Sequence, residues 1–478
     1  MRRSTFDIPG GGTPRLSSRL PGAEVGVLLW ALRHPVVVST PVLLVWAVLT
    51  YGWQAVAPVV VAVLLGVTGW WRYHPVSFDR FAAPRLRTVW RRWTAYRGRR
   101  WADVLADCDL VREQRGTGRL LVPRLLRVHA ITSAVDVLRV RMLRGQDERA
   151  WVDRAAPLAD ALGAHRVSVT RSRPGVLVLV VERRPAFARV LDAPAIPATS
   201  AAVDLRGLDI GDTEYGVPFL LRVLGVHLLV AGASGAGKGS WMWGPLRALG
   251  ALIRDGLVRI RMIDLKGGAE TERGAPLFYR YATTPGEAVR LLEEYRDDLV
   301  ARQALMRERK VRRCHVSWET PFELLVIDEL AMLTAYGPRE VTRAAIPLLS
   351  QVMTQGRAGL FGVWAYVQEP SKDVVEVRDL FTLCICLAVT VASHVDMVLR
   401  EGARERGALA DEIPTDDSHA GIGFYIDPIT RRPIRVRAGF TDDADITELV
   451  QTCAPTPAVV DGEVIAFPHP TDQEGQAS

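Results

Sequence analysis

Residues His227–Ser240, HLLVAGASGAGKGS, join an apolar run, a glycine-rich turn and a lysine. Gly232, Gly235 and Gly237 lack a Cβ. The backbone N–H groups of Gly232, Ala233, Ser234, Gly235, Ala236 and Gly237 can therefore converge on phosphate oxygens. A helix starting at Lys238 adds the positive end of its dipole, and the Lys238 ammonium supplies a point charge to the outer phosphates. In the usual form of this turn, Ser or Thr follows the lysine and holds Mg²⁺. Here Gly239 stands in that place and Ser240 comes next. Neighbouring helix positions point about 100° apart, so Ser240 can take up the Mg²⁺ role only if the loop shifts.

The second group is PFELLVIDEL, Pro321–Leu330. A buried parallel strand accepts acids only at its C-terminal end, where ligands collect in such sheets. Asp328 is expected to hold Mg²⁺ there, and Glu329 to polarise an attacking water as general base. Taken alone, the pair could equally cap the next helix. Behind a phosphate loop the metal and base roles are the stronger reading. Two further strands end in polar residues. Asp264 and Lys266 lie in RIRMIDLKGGAE, where they either face a neighbouring subunit's nucleotide or pin the turn. Gln368 ends LFGVWAYV, where a γ-phosphate sensor sits in P-loop motors, and Arg357 precedes that strand, placed to reach across a subunit boundary.

These groups need strands that end on one edge and helices that return between them. From about residue 200 to 445 the sequence alternates apolar strands with amphipathic helices, which predicts an α/β parallel sheet. Ahead of it, DVLRVRM, the run Glu148–Leu162, and VSVTRSRP with GVLVLVVERR predict a small α+β module within 73–199. A Pro174-Gly175 turn is expected between the last two strands. The tail, 446–478, is rich in Pro, Gly and acids and is expected to be disordered.

The composition bounds the rest. Hydrophobic residues make up 49% of the 478, and mean hydropathy is +0.10, high enough to prompt a search for membrane spans. Nothing charged lies between His34 and Arg72. A spanning helix takes ~20 apolar residues, so the run predicts a two-helix transmembrane hairpin at 35–52 and 55–72, turning near Gly52 and Pro58. Arginines bracket it on both sides, including VWRRWTAYRGRRW after it. That arrangement puts the N-terminal segment 1–34 and the motor in the cytoplasm, with the chain anchored as a multi-pass protein of the cell membrane. The net charge of +7 suits an anionic partner. Positive charge is almost all arginine, with lysine only at 238, 266, 310 and 372. The basic run RERKVRRCH reads equally as a DNA contact or a solvated face. The 5 cysteines are odd in number and have no zinc spacing, so free thiols are expected.

Together, GASGAGKGS, LLVIDEL, QGRAGLFGVWAYVQEP and FTLCICLAVTVASHVDMVLREGA resemble the motor of the FtsK/SpoIIIE family of DNA translocases, over about 220–440. The resemblance implies a RecA-like P-loop NTPase fold, ATP and Mg²⁺ as cofactors, and a homo-oligomer, a hexameric ring, that pumps double-stranded DNA. It implies Lys238 as the phosphate lysine, Asp328 as the Mg²⁺ acid, Glu329 as the catalytic glutamate, Arg357 as the family's GRA arginine and Gln368 as its TQxP glutamine. Gly239, Leu383 and the VQEP sequence depart from the family pattern. The single motor, and no room after about 440 for a winged helix, are most similar to the short transfer proteins of actinobacterial conjugative elements, which work with other transfer proteins. A type VII-like secretion ATPase moving protein, and a nucleotide-binding membrane scaffold, are the competing implications.

Overall fold

The computed structural model describes residues 43–465 except 44, 115–117, 119, 269, 372–375, 456–457 and 461–462. The chain divides into two compact units, residues 1–86 and 87–478.

In the first unit, Gly52 adopts φ +78°, a left-handed conformation natural to glycine, and breaks the helix there. Helix α1 (Trp53–Tyr73) follows, with none of its residues buried and a mean hydropathy of 1.7 over an 18-residue window. Among the described residues it is the one helix long and apolar enough to cross a membrane. It coincides with the second arm of the expected hairpin, 55–72. The first arm, 35–52, lies mostly outside the described residues. The turn comes at Gly52 alone, and Pro58 sits inside α1.

In the second unit, α2 (Arg99–Asp107) leads into strands β1 (Arg124–Ala130) and β2 (Val135–Arg141), helices α3 (Glu148–Val152) and α4 (Ala155–Ala161), and strands β3 (Arg166–Arg173) and β4 (Val176–Glu182). The strands form an antiparallel sheet in the order β1-β2-β4-β3. Trp151, Leu158, Leu105 and Trp101 fill its core. The basic aromatic run before it does not simply bracket a membrane, because Tyr96 and Trp101 are buried in this core. Arg91 and Arg183 pair with the fully buried Asp136, since a carboxylate taken out of water needs charged partners.

The motor sheet has ten strands: β5 (Leu208–Thr213), β6 (Pro218–Leu221), β7 (Leu228–Ala231), β8 (Val258–Ile263), β9 (Phe278–Ala282), β10 (Phe322–Ile327), β11 (Phe361–Val367), β12 (Leu383–Leu387), β13 (Ile422–Ile426) and β14 (Pro433–Ala438). Their order is β9-β8-β10-β11-β7-β12-β13-β14-β5-β6. From β9 to β12 every pairing is parallel, and beyond β12 every pairing is antiparallel. The parallel strands are mostly apolar because helices cover both faces, and the buried exceptions pair with each other, Arg261 of β8 with Glu323 of β10. One face packs α6 (Pro285–Glu308), α7 (Arg339–Gln355) and α8 (Ala392–Leu399), and the other packs α5 (Lys238–Ala248) and α9 (Asp443–Cys453). Alternation assigns the residues: Leu229 and Ala231 of β7 join the first core, Leu228 and Val230 the second. Helix α9, closed by a capping box from Asp442 to Asp445, runs across residue 446. It buries Ile446, Leu449 and Cys453 in the second core.

The connections fix where a ligand goes. From β7 the chain crosses to β8 on one side of it, while β12 lies on its other side. Strands β10, β11, β7 and β12 all end on the same edge, and β7 sits where the strand order reverses. A parallel α/β sheet opens a crevice at such a point. The module also meets the motor through polar contacts: Arg435 of β14 pairs with Glu182 at 2.7 Å, and Arg432 donates to the Thr170 hydroxyl at 2.9 Å.

Candidate nucleotide site

The turn between β7 and α5 is held from both flanks. Gly232 N–H donates to Val367 O at 3.0 Å and Ala233 N–H to Ala388 O at 2.8 Å. These bonds tie the loop to the ends of β11 and β12. Gly237 has φ +89°, and a Cβ there would fall 2.1 Å from Gly421 N. A side chain at this position would break the loop. Helix α5 begins at Lys238, so its free N–H groups face the crevice. The Lys238 ammonium donates to the loop carbonyls of Gly232 at 2.9 Å and Ala233 at 3.0 Å. Burial pushes its pKa down, while the nearby Glu329 opposes that shift. The lysine is thus folded back on its own loop, within reach of the space a phosphate chain would fill.

Asp328 and Glu329 follow β10 and are both buried. The Glu329 carboxylate accepts from Gln368 N–H at 3.3 Å, which brings the ends of β10 and β11 together. Lys266, just past β8, lies 3.2 Å from Asp328 Oδ2 and 3.3 Å from Glu329 Oε2. Lysine 266 therefore serves this chain's own acids. Asp264, also buried, pins the turn beneath it: it accepts from Lys266 N–H at 2.9 Å and from the Thr271 hydroxyl at 2.7 Å. Sequence reasoning left Lys266 between two roles. Its signal was its rarity, a lysine in a chain whose other cations are nearly all arginine.

Burial raises the Asp328 pKa to about 6 against the pull of Lys266. The buried Asp328 Oδ2 makes no hydrogen bond, and its approach to Lys266 is an ion pair alone. A buried carboxylate oxygen met only by the ammonium of Lys266 suits a cation. Mg²⁺ takes one or two carboxylates along with phosphate oxygens and water, so Asp328 fits it.

Two expected residues are placed elsewhere. The Ser240 hydroxyl accepts from Thr441 N–H at 3.3 Å, and no described contact joins it to Asp328. The reason is the helical offset: one residue past Gly239, the side chain turns toward β14. Arg357 stands on the exposed turn ahead of β11, at the edge opposite the phosphate loop. The cradle, Lys238, Asp328, Glu329 and the start of the Gln368 segment come together; Arg357 does not.

Fold and site define a P-loop ATPase motor fold. In sequence, the chain is related over about half its length to the FtsK translocases, as the motifs led us to expect. The FtsK DNA translocase of Mycobacterium leprae is 27% identical over 250 residues, covering 48% of this chain and 28% of that one. That of Streptococcus pneumoniae is 25% identical over 247 residues, covering 47% and 30%. The chain thus spans less than a third of these relatives' length. No family model matches the chain. Among solved structures, the pCW3 conjugation coupling protein TcpA, in monomer form with ATPγS, is similar at a TM-score of 0.48 and 16% identity, covering 74% of this chain and 99% of that chain.

Proposed function

We propose that this chain is an ATP-hydrolysing motor that moves double-stranded DNA and is anchored in the cell membrane by its N-terminal helix. The observation that carries the reading is the convergence, on one sheet edge, of the Gly232–Lys238 cradle with Asp328 and Glu329. The relatives that match about half of the chain are DNA translocases by name.

The cradle N–H groups and α5 bind the phosphates. Lys238 exchanges its two carbonyl partners for phosphate oxygens. Asp328 holds Mg²⁺, which when bound neutralises charge on the phosphates. Glu329 orients a water for attack and takes its proton. Arg357, at the opposite edge, acts on the nucleotide of a neighbouring copy, which requires a head-to-tail ring; we propose six copies, as in the family the motifs resemble. Gln368, beside Glu329, senses the terminal phosphate. The setting we propose is conjugative DNA transfer, with other transfer proteins as partners.

The test is steady-state ATP hydrolysis by the full chain in detergent, with and without linear duplex DNA, beside Lys238→Ala. The expected result is DNA-stimulated turnover, lost in the variant and falling steeply with salt, because a pump grips phosphates. Turnover indifferent to DNA overturns the DNA reading and favours a protein cargo.

A further inference from the structure

The loop ahead of β13 lies directly on the phosphate loop. Gly421 N–H donates to Ala236 O at 2.9 Å, and Trp241 Nε1–H donates to Gly421 O at 2.9 Å. Gly421 N is the atom that a Cβ on Gly237 would strike. The buried Arg437 holds the carbonyl of Ser418 at 2.7 Å. Residues 418–421 are therefore fixed against the end of the cradle by bonds to their own main chain.

The strand order gives this contact a direction. Reading across the sheet, β10 with Asp328 comes first, then β11, β7 with the cradle, β12, and β13 with this loop. A nucleotide whose terminal phosphate faces Asp328 and Glu329, and whose phosphates lie along Gly232–Lys238, must extend its nucleoside away from the acids. That carries it toward β12 and β13. Ser240 points the same way, toward Thr441 after β14.

His419 is the side chain on this loop equipped to meet a nucleoside. It is 41% exposed, and its Nδ1 lies 2.9 Å from both carboxylate oxygens of Asp416 and 3.0 Å from the Ser418 hydroxyl. In the neutral ring, an Nδ1–H donated to Asp416 leaves Nε2 as an acceptor. Phosphates need donors, whereas bases and ribose offer amino and hydroxyl donors, so an acceptor here is matched to the nucleoside end.

We propose that His419, oriented by Asp416, binds the nucleoside portion of the nucleotide, with Nε2 accepting a hydrogen bond from an amino or hydroxyl group. The inference rests on the nucleotide reading of the Gly232–Lys238 loop. It divides the site into a phosphate half that any polyphosphate can occupy and a nucleoside half that confers selectivity.

The experiment measures equilibrium binding of ATP and of inorganic tripolyphosphate to the full chain with Mg²⁺, for the wild type, His419→Ala and Lys238→Ala. The melting temperature without ligand is followed to confirm folding. His419→Ala is expected to weaken ATP about tenfold, the worth of one hydrogen bond, and to leave tripolyphosphate unchanged. Equal ATP affinity in His419→Ala and wild type overturns the proposal while leaving the cradle reading intact; parallel loss of both ligands also overturns it, because the effect then falls on the phosphate half. If Lys238→Ala weakens neither ligand, the nucleotide reading itself fails.

Discussion

Lys266 places its ammonium 3.2 Å from the buried, otherwise unbonded Oδ2 of Asp328, and in doing so closes the acid pair with a cation of the chain's own. Removing that cation leaves a buried carboxylate without a counter-charge. Lys266→Met is expected to destabilise the nucleotide-free protein by about 1–2 kcal/mol, between the exposed-pair and buried-pair ranges because Lys266 is a third exposed. Saturating Mg²⁺ and nucleotide are expected to shrink the difference from wild type, since another cation then meets Asp328. Thermal unfolding with and without ligand measures both effects, and equal melting temperatures without ligand would refute the pairing.

Gly239 takes the position where a hydroxyl usually holds Mg²⁺, and a Cβ added there meets nothing within 4 Å. Gly239→Ser is therefore expected to fold with an unchanged melting temperature. It should lower the Mg²⁺ concentration for half-maximal hydrolysis about three- to tenfold by adding a ligand oxygen. A Mg²⁺ titration of the ATPase rate decides it; an unmoved midpoint would mean that this position does not face the metal.

Glu329→Gln keeps the shape of the side chain and its contact with Gln368 N–H but removes the base. Hydrolysis should fall about 10²–10⁴-fold with ATP affinity retained. Single-turnover rates beside binding isotherms separate the two, and hydrolysis within threefold of wild type would remove Glu329 from the chemistry.

Arg357 is exposed at the sheet edge opposite the cradle. If it acts on a neighbour, Arg357→Ala and Lys238→Ala chains, each inactive alone, should recover partial turnover when mixed. In a mixed ring, a Lys238→Ala chain supplies Arg357 to an intact cradle. Mixtures as inactive as the separate variants, under conditions where the chains co-assemble, would count against action in trans.

His227 is fully buried at the foot of β7. Its Nδ1 accepts from Val363 N–H at 3.1 Å, and Nε2 meets Met353 O at 3.0 Å. Burial depresses its pKa from 6.5 to about 4. A histidine held neutral in the fold gives stability that is complete above the unfolded value of 6.5 and lost as pH falls toward 4. Between pH 7 and 5 this amounts to about 2 kcal/mol. Urea denaturation of wild type and His227→Asn at both pH values reads it as a difference. The raised pKa values of Glu214 and Asp328 act with the opposite sign in both proteins and cancel. Equal slopes with pH in the two proteins would exclude His227 as the titrating group.

The phosphate cradle and the acids at the end of β10 were legible in the sequence, because each depends on residue types at fixed local spacing: glycines in a tight turn, a lysine at a helix start, acids closing an apolar strand. The parallel sheet was legible for a similar reason, since strands buried on both faces are mostly apolar. The break at Gly52 could be read as well. Pro58 inside α1 could not, because its meaning depends on where the helix starts. What only the tertiary structure decided were the contacts between segments distant in sequence. Lys266 meets Asp328 across 62 positions because β8 and β10 are neighbours. Gly421 closes on Ala236 because β13 and β7 flank the same strand. Ser240 turns to Thr441, and Arg357 falls on the far edge of the sheet. Local spacing determines which chemistry a segment can perform. Strand order determines which segments face one another, and it follows from the summed packing of two cores rather than from any motif.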